Sequence, residues 1–235
     1  MERSGAWVIL LAGSLCFPLA AQTESGLVRV PFVGCKSDGQ MGPRNAPEGT
    51  LALVAASKEA ASRLAYYQAE GDFGVLAPRG WSCFGVYGSG GDWLYVSPEP
   101  MNRDDLFSFH GKGLTEPVIQ FGREFGDTSG TYRVAAVIAR VFPAHMAFAR
   151  QSEDSGLNEY RAGPYPHDKL VYRSDSVVEY ETPAQADGLG TYSGLKKSDS
   201  PIRGVAILDG STPELLLLAV RLPAGMSGLT PEITH

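Results

Sequence analysis

The sequence predicts an α+β fold built mainly on antiparallel β-sheet, with two or three helices. Short runs rich in Val, Ile, Tyr, Phe and Trp recur between Gly- and Pro-containing breaks, as strands joined by turns do. Helical periodicity is confined to a few patches. Strands and helices do not alternate regularly, which argues against a parallel sheet built from βαβ units. Composition agrees with a folded chain: 43% hydrophobic residues and a net charge of -6 over 235 residues exclude disorder. The 28 Gly and 16 Pro are scattered, without the triplet period of collagen.

Leu27 to Val33 (LVRVPFV) is a short alternating strand that ends at Gly34-Cys35. Lys36 to Gly49 reads as a loop from its Gly, Pro, Asn and Asp content. Ser57 to Glu70 reads as the clearest helix: Ser57 suits an N-cap, the interior is rich in helix formers, and Ala60, Leu64 and Tyr67 share a face. Gly71-Asp72 ends it. Phe73 to Ala77 is a strand, Pro78-Arg79-Gly80 breaks it, and Trp81 to Tyr87 (WSCFGVY) leads through the Gly88 to Asp92 turn into Trp93 to Val96. Alternation places Trp81, Cys83, Gly85 and Tyr87 on one face.

In Thr131 to Phe142 the charges Arg133 and Arg140 are seven apart, on one face of a helix but on opposite faces of a strand, so a helix is predicted. Thr128 or Ser129 would cap it. Pro143 ends or kinks it, and Ala144 to Arg150 continues as a second short helix. Lys169 to Glu181 is β, broken near Ser174-Asp175, and Ile202 to Leu208 pairs with Leu215 to Leu222 through the turn residues Asp209 to Pro213. Leu215 to Val220 is apolar at every position, which predicts a central strand covered on both faces.

The N-terminus has the pattern of a secretory signal peptide. Arg3 precedes the apolar run Ala6 to Leu15, and Phe17 to Ala21 ends in small residues, placing cleavage after Ala21. The run is shorter than the roughly 20 residues a bilayer requires, and no other stretch approaches that length. Residues 1–21 are thus expected to be removed, leaving 22–235 as a single α+β domain with a polar internal seam near 151–166. Removal takes away one acid, Glu2, and one base, Arg3, so the net charge stays at -6. That balance, without a basic cluster, leaves no electrostatic footprint for nucleic acid.

Export changes the cysteine arithmetic. Cys16 leaves with the signal, and Cys35 and Cys83 remain. In an oxidising compartment two thiols most simply form one disulfide. A metal or redox pair is the competing reading, but there is no CxxC, and no His stands at metal-motif spacing from either Cys. No cofactor and no metal is expected.

Catalytic motifs are weak. The nearest approach to a nucleophile elbow, Tyr87-Gly88-Ser89-Gly90-Gly91, has Tyr where the first Gly belongs. Gly126-Asp127-Thr128-Ser129-Gly130 is similar to the Gly-Asp-Ser-Gly string of trypsin-like proteases, but Thr128 interrupts it. His110, His145, His167 and His235 lie in no metalloprotease pattern, and spacing alone cannot supply the geometry a general base needs. The glycine turns lack the Lys-Ser/Thr of a phosphate loop. The candidate ligand surface is aromatic: Arg79, Trp81, Tyr87, Trp93 and Tyr95 crowd one hairpin, where they either bind a glycan or peptide or fill the core beside Cys83.

Two strings, Gly34-Cys-Lys-Ser-Asp-Gly-Gln-Met-Gly-Pro43 and Gly80-Trp-Ser-Cys-Phe-Gly-Val-Tyr-Gly88, resemble blocks in a family of exported bacterial proteins of unknown function. Glu179 to Ala184, Gly188 to Thr191 and Val220 to Pro223 extend the resemblance along most of the chain. It implies export and a Cys35–Cys83 pairing, and it implies no catalytic residue. The function expected is a non-catalytic exported domain, binding a glycan, a peptide or an envelope protein. The alternative is a secreted hydrolase whose Ser and His meet only in the fold. A subunit of a larger assembly is a third reading.

Overall fold

The strand Glu214–Arg221 shows how the chain is layered. Its residues Leu215, Leu217 and Ala219 pack with Val134, Ile138 and Phe142 in one core, while Leu218 and Val220 pack with Leu64, Tyr67 and Leu94 in another. A strand apolar on both faces is stable only when both are covered, and fully burying each Leu contributes about 1.5–3 kcal/mol. The expected central strand is therefore present, between a helical layer and a second sheet.

The computed structural model describes residues 26–71, 74–107, 114–156 and 158–234. The expected signal peptide, Cys16, His110 and His235 lie outside the described residues. The first half contains β1 (Gly26–Gly34), β2 (Ser37–Gly39), β3 (Leu51–Ala56), α1 (Lys58–Arg63), β4 (Leu64–Gln68), β5 (Gly74–Pro78), β6 (Ser82–Gly88), β7 (Gly91–Ser97), α2 (Arg103–Phe107) and β8 (Val118–Phe125). The second half contains α3 (Thr131–Val141), α4 (Met146–Asp154), β9 (Lys169–Ser174), β10 (Val177–Thr182), α5 (Leu189–Tyr192), β11 (Ile202–Asp209), β12 (Glu214–Arg221) and α6 (Thr230–Thr234).

The strands form a four-stranded sheet, β3-β1-β4-β5, and an eight-stranded sheet, β2-β6-β7-β8-β12-β11-β10-β9. Each contains one parallel pair, β1 with β4 and β2 with β6. The fold class is thereby corrected: the described residues form two mixed sheets with six α-helices, not an antiparallel sheet with two or three. Two causes account for the difference. The helices α2, α5 and α6 have four or five residues, too few for a 3.6-residue period to register. The predicted helix over Ser57 to Glu70 stops after Arg63, and Leu64 onward becomes β4 between β1 and β5. Helix propensities differ by less than about 1 kcal/mol per residue, which the burial of Leu64, Ala65 and Tyr67 and a double hydrogen-bond ladder outweigh.

Helix α3 lies where predicted, but its N-cap is Gly130, not Thr128 or Ser129. A Cβ at Gly130 would stand 2.2 Å from the Gly90 carbonyl oxygen, so only glycine lets the helix start against the β6–β7 turn. Thr128 instead accepts from the Gly130 N–H at 3.3 Å and donates to the Phe125 carbonyl at 3.1 Å. β8 and β12, from either side of residues 151–166, pair from Phe125↔Glu214 to Val118↔Arg221, so one sheet runs through both halves.

Cys35, just after β1, is bonded to Cys83 on β6, with Cα atoms 5.4 Å apart. The disulfide ties the four-stranded sheet to the eight-stranded one. Among the described residues no helix is long and apolar enough to cross a membrane.

Candidate functional site

The five aromatic-hairpin residues do not share one surface, and Arg79 and Trp81 precede β6. Arg79 closes α1, donating from Nε to the Leu64 carbonyl at 2.9 Å and from Nη2 to the Ala61 carbonyl at 2.6 Å. The Trp81 N–H donates to Tyr67 Oη at 3.1 Å, and its ring packs on the core between the sheets. Tyr87 donates to the Gly42 carbonyl at 2.5 Å beneath the Arg44 guanidinium, 3.6 Å from its ring centroid. Tyr87 and Trp93 border a cavity of about 210 Å³ whose charges are matched, Arg44 with Glu70 at 2.9 Å and Arg123 with Asp92 at 2.8 Å. The hairpin therefore brings Tyr87 and Trp93 to one small cavity and leaves Arg79 and Trp81 elsewhere.

Trp93 and Tyr95 belong to the face of β7 that meets the helices. There Glu124, 2% exposed in its side chain, accepts from Trp93 Nε1 at 3.1 Å and pairs with Arg133 Nε at 2.8 Å. Burial pushes the Glu124 carboxyl above the ordinary carboxylate range, against the opposing pull of Arg133 and the Trp93 hydrogen bond. Burial likewise pushes the Tyr95 phenol up to about 12. The Arg133 guanidinium stands 5.7 Å from the Trp93 ring centroid and 5.5 Å from that of Tyr192. Glu124 escaped sequence reasoning because β8 carries its polar residues Gln120 and Glu124 on a buried face, the reverse of the usual pattern.

The serines and histidines assemble only in part. Ser89 Oγ and Ser129 Oγ are 2.9 Å apart, and Ser89 also accepts from Gln40 Nε2 at 3.4 Å. His145 Nε2 is 3.0 Å from Ser176 Oγ, with the imidazole edge-on to Phe142. Ser176 lies in the tight turn between β9 and β10, away from the cleft that His167 borders.

That cleft, about 670 Å³, lies between the end of α3, the loop 161–167 and the loop 183–187. Arg140, Arg161, Tyr165, His167, Gln185 and Lys197 are among its lining residues. Helix α3 presents Arg140, which donates from Nη1 to the Gly163 carbonyl at 3.2 Å and stacks 4.2 Å from the Tyr165 ring centroid. Lys197 pairs with Asp187 at 2.6 Å on the rim. Asp168 anchors the wall: Oδ1 accepts from Thr182 Oγ1 at 2.7 Å and Oδ2 from the Leu189 N–H at 2.7 Å, while Thr182 Oγ1 accepts from the Gly190 N–H at 3.0 Å. Burial raises the Asp168 carboxyl, and those hydrogen bonds oppose the rise.

Gln185, with φ 59, is the one non-glycine residue in the left-handed region among the described residues. Its N–H donates to the Ser198 carbonyl at 3.0 Å and its Nε2 to Asp199 Oδ1 at 2.9 Å, which hold a conformation costing about 1–2 kcal/mol. Such strain is concentrated at ligand seats and switch points. Sequence reasoning noticed the polar 151–166 seam and the paired Arg133 and Arg140, but not that three distant segments meet there. Among the described residues no group of three or more His, Cys, Asp or Glu side chains could hold a metal ion. No protein-family model, curated protein or solved structure was found to match the chain.

Proposed function

We propose that the protein is an exported, non-catalytic binding domain whose ligand seat is the cleft at Arg140, and that the ligand carries a carboxylate or similar anion. The observation that carries this reading is the charge of the cleft. Arg140, Arg161 and Lys197 line it against a single acid, Asp187, on a chain whose net charge is -6. A guanidinium matches a carboxylate with a planar fork of donors, and a hydrogen bond to a charged group contributes about 1.5–3 kcal/mol. Arg140 is already oriented by Gly163 and Tyr165, which lowers the entropy lost on binding. The volume suits a small molecule or one end of a polymer.

Export is supported by the pattern of residues 1–21 and by the Cys35–Cys83 bridge, since disulfides persist in oxidising compartments. Binding is preferred to hydrolysis because the cleft lining places no Ser, Thr or Cys beside His167, while the His145–Ser176 pair stands apart. Calorimetric titration at low salt with galacturonate and with neutral galactose tests the reading. Saturable binding of the acid alone, weakened about tenfold by Arg140→Ala, is expected. Equal binding of both sugars, or of neither, would overturn it.

A further inference from the structure

Arg133 and Arg140 are two turns apart on α3, which separates them by about 10 Å along the axis with little rotation between them. Both stand on the half-buried stripe of the helix, with small Ala136 between them. Each guanidinium is held in place. Arg133 is drawn down by the buried Glu124 and flanked by Trp93 and Tyr192, and Arg140 by Gly163 and Tyr165. Tyr192 stands beside Arg133 and Tyr165 beside Arg140, so each arginine has an aromatic ring next to it. The Arg133 side chain remains 42% exposed. Resting on the anionic-ligand reading above, we infer that the ligand is an extended acidic polysaccharide, gripped at Arg140 in the cleft and again at Arg133 beside Trp93.

A helix surface with its backbone hydrogen bonds closed offers no strand edge to an extended peptide, so recognition falls to side chains. Two planar guanidiniums on one stripe of the helix suit carboxylates repeated along a chain. The Tyr192 and Tyr165 phenols, one beside each arginine, add hydroxyls that can donate to ring oxygens. The second contact adds no new pocket. It makes the ligand bivalent, so affinity rises with chain length once the chain reaches both arginines.

The test compares galacturonate, a galacturonate oligomer long enough to span both arginines, the same oligomer with its carboxylates reduced to alcohols, and polyglutamate. Wild-type protein is expected to bind the acidic oligomer at least tenfold more tightly than the monomer and to ignore the reduced oligomer. The paired change Glu124→Gln/Arg133→Met removes the second contact without leaving a buried lone carboxylate, and it should erase the gap between oligomer and monomer. Should that variant fail to fold, Arg133→Lys keeps the ion pair and is expected to narrow the gap severalfold. Arg140→Ala should weaken monomer and oligomer alike. An oligomer bound no better than the monomer, or a gap that survives loss of Arg133, overturns the two-point seat while leaving the cleft reading intact. Tighter binding of polyglutamate than of the uronate oligomer overturns the polysaccharide assignment. Failure of the monomer to bind defeats the cleft reading itself.

Discussion

Replacing both half-cystines, as Cys35→Ala/Cys83→Ala, opens a covalent loop with a sequence separation of 48 that joins the two sheets. Loop-closure entropy for that length is worth about 4 kcal/mol at room temperature. For a domain of this size each 1 kcal/mol moves the melting temperature by about 2–4 °C, so the variant should melt about 8–16 °C below the oxidised protein. Cys35 is 1% exposed in the core between the sheets, so lost packing adds to the fall. Differential scanning calorimetry of the oxidised protein, the reduced protein and the double variant measures it. Reduced protein and variant should fall together. A drop below about 3 °C in both would refute the reasoning, because it would mean that the denatured chain gains almost no freedom when the bridge is cut.

Other changes test the layers and the buried charge. Leu217→Ala removes a residue 2% exposed in the helix-side core and should cost about 2–5 kcal/mol in denaturant unfolding; a loss below about 1 kcal/mol would contradict the covered strand. Gly204→Ala should be as damaging although it only adds a methyl, because that Cβ would meet the Leu218 carbonyl oxygen at 1.8 Å and Tyr180 Oη at 2.7 Å. Normal yield and melting of that variant would show that β11 does not lie as described. Glu124 should leave a signature in pH. Its carboxyl is raised in the fold, so the native state holds the proton more tightly than the unfolded chain. The stability it contributes is present at acid pH and is lost as pH rises from the ordinary carboxylate range through the raised value. Glu124→Gln should remove that part of the slope, and identical slopes for both proteins across this window would contradict the assignment.

Much of the frame was legible because burial writes itself into side-chain period. β12 declared its central position by apolar residues on both faces, and α3 declared its helix through Arg133 and Arg140. The β6–β7 and β11–β12 hairpins were marked by their turns. Elements whose partners are remote in sequence were hidden. β4 carries the propensities of a helix end and becomes a strand only because β1 and β5 flank it. β8, which carries Glu124 under α3, went unread as a strand. The aromatic hairpin was visible as composition, but Arg79 and Trp81 are engaged away from the small cavity that Tyr87 and Trp93 border, so it is not one platform. The cleft was invisible as a unit, since Arg140, Tyr165 and Gln185 come from three segments that only the β10–β11 framework and Asp168 bring together.

The central claim, that the Arg140 cleft seats an anionic ligand, is most directly tested by arginine side-chain NMR. Protein labelled with nitrogen-15 is titrated with galacturonate while the Nε–Hε resonances are followed. Saturable shifts at Arg140 and Arg161, with Arg44 and Arg79 still, are the predicted result. Shifts confined to Arg44 beside Tyr87, or no saturable shift at any arginine, would contradict it.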